Sequence, residues 1–317
     1  MPHSFEKINF SARPNKQIGR KMLRETFRRL SVFGTLNSYR YIGFGSVYFR
    51  DFVIFHKDLG INNMISIERA VEKEERFRFN KPFDCIEIHF EESNVVLPRL
   101  EWDVRTILWL DYDDRLNSNI LADISTFCAS AISGSLLVVT VNSHTKPPAK
   151  PPETKQLEKF SERIGRERVP IDIKDSDLLG WGTAKVSRRV INNQILEVLH
   201  SRNGVRVPGS RFLYQQLFNF HYADDAKMLT VGGILYDEGQ AHILGACNFD
   251  GLSFIRQNEE PYLIRAPNLT PKELHHLNAQ LPIDDPTHLQ APAIPEEDLR
   301  RYAEVYRYFP NFVEIET

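Results

Sequence analysis

Between residues 39 and 142, β-rich runs alternate with segments of helical periodicity, and this constrains the fold more than any single motif. SYRYIGF reads as a strand. VYFRDFVIFHKDL reads as a helix that stops at Gly60, where a left-handed residue costs little. NNMISIE is a second strand, AVEKEERFRFN a polar helix, CIEIHFEES a third strand and TILWLDY a fourth. SNILADISTFCASAI then reads as a helix and SLLVVTVN as a fifth strand. Strands alternating with helices join by right-handed crossovers around a mostly parallel sheet, so the fold class is α/β.

Either side of this block the pattern changes. Ahead of it, NKQIGRKMLRETFRRL puts Ile18, Met22, Leu23, Phe27 and Leu30 on one stripe, with Lys16, Arg20, Lys21, Arg24, Arg28 and Arg29 mostly elsewhere around the axis. A basic amphipathic helix is therefore expected within 13–31. Its charges form either a solvated face on a helix that covers the sheet or a surface for phosphate or an anionic substrate.

Beyond the block, 145–211 begins with TKPPAKPPETK, which cannot continue a helix or a central strand because each proline removes a donor and fixes φ. SRRVINNQILEVLHSR follows as a helix with Val190, Ile191, Ile195, Val198 and Leu199 on one face. This stretch is expected to be an insertion that sets substrate specificity, with Lys185, Arg188, Arg189, Arg202, Arg206 and Arg211 as its basic content. MLTVGGILYDEGQAHILGACNF shows two apolar runs joined by Asp-Glu-Gly-Gln, which predicts a final antiparallel hairpin. A helical tail occupies 266–317. It opens on a capping box at Thr270, Pro271 and Glu273 and ends with a helix over EEDLRRYAEVYRYF.

Composition excludes several classes. With 317 residues, 42% apolar and 26% charged, the chain is neither disordered nor too short for a substantial core. A net charge of -2 gives no global attraction to nucleic acid, so such binding needs a local patch. Cys85, Cys128 and Cys247 are too scattered for a disulfide framework or a zinc site and suit a reducing compartment. The N-terminal stretch lacks the apolar core of a signal peptide, and no apolar run approaches the roughly 18 residues of a spanning helix. A cytoplasmic protein is expected.

The turn Gly43-Phe44-Gly45-Ser46 stands between the first strand and its helix, where glycine lets backbone approach a ligand and the helix start offers free N–H groups. Glu68, at the end of the second strand and 23 positions after Gly45, is placed to accept two ribose hydroxyls. A lone Gly-x-Gly also fits an ordinary tight turn, and Tyr48 at the third glycine position argues against a dinucleotide fingerprint and hence a nicotinamide-dependent dehydrogenase. The fourth strand ends in Asp111, Tyr112, Asp113 and Asp114, at the crevice beside the reversal of strand order. These carboxylates could orient a nucleophile or take its proton. With Asn142, Asp111 and Asp113 would also make an oxygen-rich set of the kind Mg²⁺ takes, while His144 reads as a surface loop residue.

The stretches RPNKQIGRKM, YRYIGFGSVYFRDF, SIE, RFRFNKPF, LPRLEW and TILWLDYDDRL resemble a family of bacterial proteins named putative O-methyltransferases, within the class I S-adenosylmethionine-dependent methyltransferases. The resemblance covers nearly the whole chain. It implies a Rossmann-like three-layer sandwich, one domain over 1–317, with a seven-stranded sheet of order 3-2-1-4-5-7-6 whose last strand is antiparallel. It further implies S-adenosyl-L-methionine as cofactor and methyl transfer to an oxygen or nitrogen nucleophile. Gly43, Phe44, Gly45, Ser46, Glu68 and Arg69 would hold the donor, Glu92 and Ser93 its adenine. Asp111 would serve both donor and chemistry, with Tyr112 and Asp113 as the other catalytic residues. Arg13, Lys16 and Asn142 would stand on the substrate side, and no metal is assigned. The chain departs from the wider class at Tyr41, where an acidic residue is common, and at Val47, where a third glycine is common. The rival reading is an altered methyltransferase-like module that binds a nucleotide or nucleic acid through Arg13, Lys16, Arg20 and Arg24 and acts through a partner in a mobile bacterial defence locus.

Overall fold

The computed structural model describes residues 13–145 and 156–310. The proline-rich link, from residue 146 onward, and the end of the tail lie outside them.

The alternation folds into one sheet of order β3-β2-β1-β4-β5-β7-β6-β8. Its members are β1 (Arg40–Gly43), β2 (Asn63–Ile67), β3 (Ile86–His89), β4 (Thr106–Asp111), β5 (Ser135–Asn142), β6 (Phe212–Ala223), β7 (Lys227–Asp237) and β8 (Tyr262–Ile264). The first five pair in parallel, and β7 runs antiparallel to both β5 and β6. The order reverses between β1 and β4, which leaves a crevice at their carboxyl ends.

Two layers cover the sheet. On one face lie α1 (Pro14–Arg29), α2 (Arg50–Leu59) and α3 (Glu74–Asn80). On the other, α5 (Ser118–Ser130), α6 (Gln156–Ile164) and α7 (Gly182–Asn203) pack, with the short α4 (Ser93–Val96). The stripe Ile18, Met22, Leu23, Phe27 and Leu30 is buried to 1% exposure or less. Each such side chain contributes about 1.5–3 kcal/mol by leaving water. In α7, Val190, Ile191, Ile195 and Leu199 are buried, with Val186, in the opposite core. The Thr270 and Glu273 capping box opens α9 (Pro271–Asn278), and α10 (Glu296–Val305) follows. Among the described residues, no helix is long and apolar enough to cross a membrane.

Two expectations are corrected. The sheet has eight strands rather than seven, because Tyr262–Ile264 adds a short edge strand parallel to β6. The hairpin also lies one element earlier, joining β6 to β7 through Asp224–Ala226, whereas the Asp-Glu-Gly-Gln link leads into the helix α8 (Ala241–Ala246). β6 was hidden by polar side chains in an apolar run. Gln216 donates to the carbonyls of Arg256 and Asn258, and Asn219 to that of Glu259, so the amide donors of both find acceptors on the chain that leads to β8.

Strand alternation decides which layer each end-of-strand residue meets. Along β4, Ile107 and Trp109 join the core under α1 and α2, while Leu108 and Leu110 join the opposite core. Asp111 continues the first series and Tyr112 the second.

Candidate active site

At the carboxyl ends of β1, β2 and β4 the structure opens into a cleft of about 460 Å³. Its first wall is set by the hairpin. Asp224 accepts hydrogen bonds from the backbone N–H of Asn15 and of Lys16, at 3.1 and 3.2 Å, satisfying two of the orphan donors at the start of α1. Asn15 Nδ2 also reaches the carbonyl of Ala223 at 3.0 Å, and its Oδ1 accepts from Ala266 N–H at 2.7 Å. With α1 held there, Lys16 Nζ lies 2.6 Å from Asp111 Oδ2. One turn on, Arg20 Nε is hydrogen-bonded to Asp51 Oδ1 in the first turn of α2. Lys16, Arg20 and Asp51 are each 4% exposed, so two cations and two carboxylates line the cleft away from bulk water.

The two pairs are not fully satisfied. Among the described residues, Arg20 Nη1 and Asp111 Oδ1 are buried with no hydrogen-bond partner, an arrangement that costs free energy unless something supplies one. Burial raises the pKa of the Asp51 carboxyl, opposed by Arg20. Burial works against the charge on Arg20, yet Asp51 and Asp111 more than offset it and raise its pKa.

Glu68 forms the second wall. Its Oε1 accepts from Gly45 N–H and Ser66 Oγ, each at 2.7 Å. Burial pushes its carboxyl up to about 7, against the hydrogen bonds from Ser66 and the backbone of Gly45 and Ser46. The turn itself is bent through two left-handed residues that are not glycine, Ser46 at φ 48° and Phe49 at φ 46°, a conformation that is uncommon in general and concentrated at functional sites. Neither glycine faces open space. A Cβ on Gly45 would lie 2.5 Å from the Phe49 ring and 2.8 Å from Ser66 Oγ, and one on Gly43 would lie 2.5 Å from the Tyr41 hydroxyl. The close approach that the turn requires is to the protein's own side chains.

The third wall differs in kind. Ser93 Oγ donates to Asp123 Oδ2 at 2.6 Å and lies 2.9 Å from the Tyr112 hydroxyl, which also bonds to Asp123. Burial first, then Asp123, holds the Tyr112 hydroxyl well above its ordinary pKa, so it stays protonated and acts as a donor. The Tyr112 ring meets Phe44 edge-on at 4.9 Å. At the mouth, Arg69 and Asp114 form a half-exposed ion pair at 3.1 Å.

Of the residues singled out from sequence, Lys16, Phe44, Gly45, Ser46, Glu68, Arg69, Glu92, Ser93, Asp111, Tyr112 and Asp113 all line this cleft. Gly43, Arg13 and Asn142 do not. Gly43 is the last residue of β1. Arg13 approaches Asp225 at 3.5 Å on the hairpin turn, and Asn142 Oδ1 accepts from His144 N–H at 2.8 Å, closing its own loop. Among the described residues, no group of three or more His, Cys, Asp or Glu side chains could hold a metal ion. The basic stripe of α1 is corrected too: Lys16 and Arg20 are buried in ion pairs, and Arg24 pairs with Asp58 at 2.6 Å.

Sequence reasoning missed Asp51 and the inward role of Arg20. A signal was present, since Asp51, Phe55 and Leu59 share one helical stripe, as do Lys16, Arg20, Leu23 and Phe27. A charge at an apolar position of an amphipathic helix points into the protein.

Comparison with known proteins places the chain. No curated protein matches it. Among solved structures, Trm1 from Pyrococcus horikoshii, in complex with S-adenosyl-L-methionine, is 12% identical with a TM-score of 0.48, over 83% of this chain and 67% of that one. The N-methyltransferase NodS from Bradyrhizobium japonicum, in complex with S-adenosyl-L-homocysteine, is 8% identical with a TM-score of 0.36, over 68% of this chain and 87% of that one. The model of the family described as "Putative O-methyltransferase" matches residues 8–317, all but the first few positions, and the chain belongs to that family.

Proposed function

We propose that this chain is a methyltransferase that holds S-adenosyl-L-methionine in the cleft between Glu68 and Asp111 and methylates an oxygen or nitrogen nucleophile. The observation that carries this reading is the buried Glu68 carboxylate, tied to the Gly45 turn at the end of β2, in a cleft beside the strand reversal of a chain of this family. A carboxylate at that strand end suits a ribose diol.

The donor supplies a methyl group on a sulfonium: the S–CH₃ bond breaks as a nucleophile–CH₃ bond forms, sulfur keeps the electron pair, and the nucleophile gives up its proton. The protein's part is alignment, from which such displacements gain most. Asp113, on the cleft wall, would orient the acceptor and take its proton. Tyr112 and Ser93 hold the wall through Asp123. Arg13 and Asn142 would meet an acceptor only beyond the cleft.

Calorimetry with S-adenosylhomocysteine tests the reading. Binding by the native chain, weakened about ten- to a hundredfold in Glu68→Gln, supports it. No heat of binding at millimolar ligand, with no rise in melting temperature, overturns it.

A further inference from the structure

The position before the glycine turn carries no charge. Tyr41, two residues ahead of Gly43, is 1% exposed, with its ring 4.9 Å from those of both Phe52 and Phe55. The two buried ion pairs of the cleft stand elsewhere, on α1, α2 and β4, and they are unsatisfied in a particular way. Among the described residues, Arg20 Nη1 is a buried donor without an acceptor, and Asp111 Oδ1 is a buried acceptor without a donor. Each belongs to a side chain already held through another polar atom, Arg20 through Nε by Asp51 and Asp111 through Oδ2 by Lys16.

The ligand best matched to both brings an anionic acceptor and a cationic donor on one small group, because charge-assisted hydrogen bonds are the stronger ones. A phosphate or a simple carboxylate would satisfy Arg20 and face Asp111 with like charge. An amine would do the reverse. An α-amino acid, with its carboxylate and ammonium on one carbon, satisfies both.

We propose that Arg20 and Asp111 form an amino-acid subsite, Arg20 Nη1 donating to the α-carboxylate and Asp111 Oδ1 accepting from the α-ammonium of the donor's methionine half. Asp51 and Lys16 act as positioning residues that keep the guanidinium and the carboxylate in place. The proposal rests on the reading that the donor occupies this cleft. Recognition of the amino-acid end then falls to the first helix and the fourth strand. The intact site selects for ligands that keep the zwitterion.

The experiment compares S-adenosylhomocysteine with 5′-methylthioadenosine, which keeps the nucleoside and lacks the amino-acid end, by calorimetry on the full chain. The native protein is expected to bind the former at least about a hundredfold more tightly, as loss of two charge-assisted contacts implies. Arg20→Lys, which keeps a charge beside Asp51 but removes Nη1, and Asp111→Asn should each weaken S-adenosylhomocysteine about tenfold or more. Both should leave methylthioadenosine within about twofold.

Comparable affinities for the two ligands in the native protein overturn the subsite, and so do variants that weaken both ligands equally. If neither ligand binds, the donor-cleft reading itself fails. If a variant does not fold, the two-ligand comparison on the native protein decides the matter alone.

Discussion

Asp224, in the turn between β6 and β7, accepts from the backbone N–H of both Asn15 and Lys16 and so fixes where the first helix begins. Lys16 reaches Asp111 only from that start. Asp224→Ala should therefore cost about 0.5–2 kcal/mol in urea denaturation, the usual effect of losing a helix cap. It should also weaken S-adenosylhomocysteine in calorimetry. Asp224→Asn, which keeps an acceptor oxygen, should recover most of both.

The Glu68 carboxyl is raised from its ordinary 4.5 to about 7 by burial. A raised carboxyl favours the protonated form in the folded state, so folding takes up a proton between these values. Without ligand, its contribution to stability is full below about 4.5, declines as pH climbs, and is lost above about 7, by up to about 3 kcal/mol. Glu68→Gln should flatten that decline in denaturation curves at pH values of about 5 and 8. Ribose hydroxyls donate to the ionised form, so affinity for S-adenosylhomocysteine should rise between about pH 6 and 8 with proton release.

Gly45 and Gly60 should fail for different reasons. At Gly45 a methyl group runs into the Phe49 ring and Ser66 Oγ, and Gly45→Ala should destabilise by about 1–3 kcal/mol through overpacking. At Gly60 nothing lies within 4 Å, but φ is +70°, and Gly60→Ala should cost about 1–2 kcal/mol from backbone strain alone. Thermal melts of Gly60→Asn separate the two, since asparagine tolerates the left-handed region and should recover stability at Gly60 but not at Gly45.

Asp113→Asn should leave the affinity for S-adenosylhomocysteine within about twofold while lowering turnover by roughly 10², as expected for a group that orients or deprotonates the acceptor. Full turnover in this variant would remove Asp113 from the chemistry.

Five strands and their helices were legible because the apolar periods are long and the stop at Gly60 is chemically specific, φ there being +70°. Glu68 and the Asp111–Asp114 run were legible because strand ends beside a reversal collect ligand-facing residues. β6 was not, because Gln215, Gln216, Asn219 and His221 interrupt its apolar pattern, and the carbonyls that accept from the Gln216 and Asn219 amides lie 40 to 42 positions further on. HILGACNF was misread because a short apolar run with no clear period fits helix or strand equally. The inward charges of Arg20 and Asp51 were marked in the sequence only by their places on apolar stripes, and which carboxylate meets which cation needed the tertiary structure, since a basic residue on a helix is ordinarily solvated.

The tie between Asn15 and Asp224 spans 209 positions, and that between Asn15 and Ala266 spans 251. On the ribosome, the helix bearing Lys16 and Arg20 is synthesised well before the turn that seats it. Contacts this distant in sequence are slow to form, because a long loop must close before they give any return. The parallel strands β1 to β5 can assemble earlier from neighbours along the chain. The cleft is accordingly among the last parts of the molecule to mature, and a nascent chain released before the hairpin emerges would have most of a sheet but no anchored first wall.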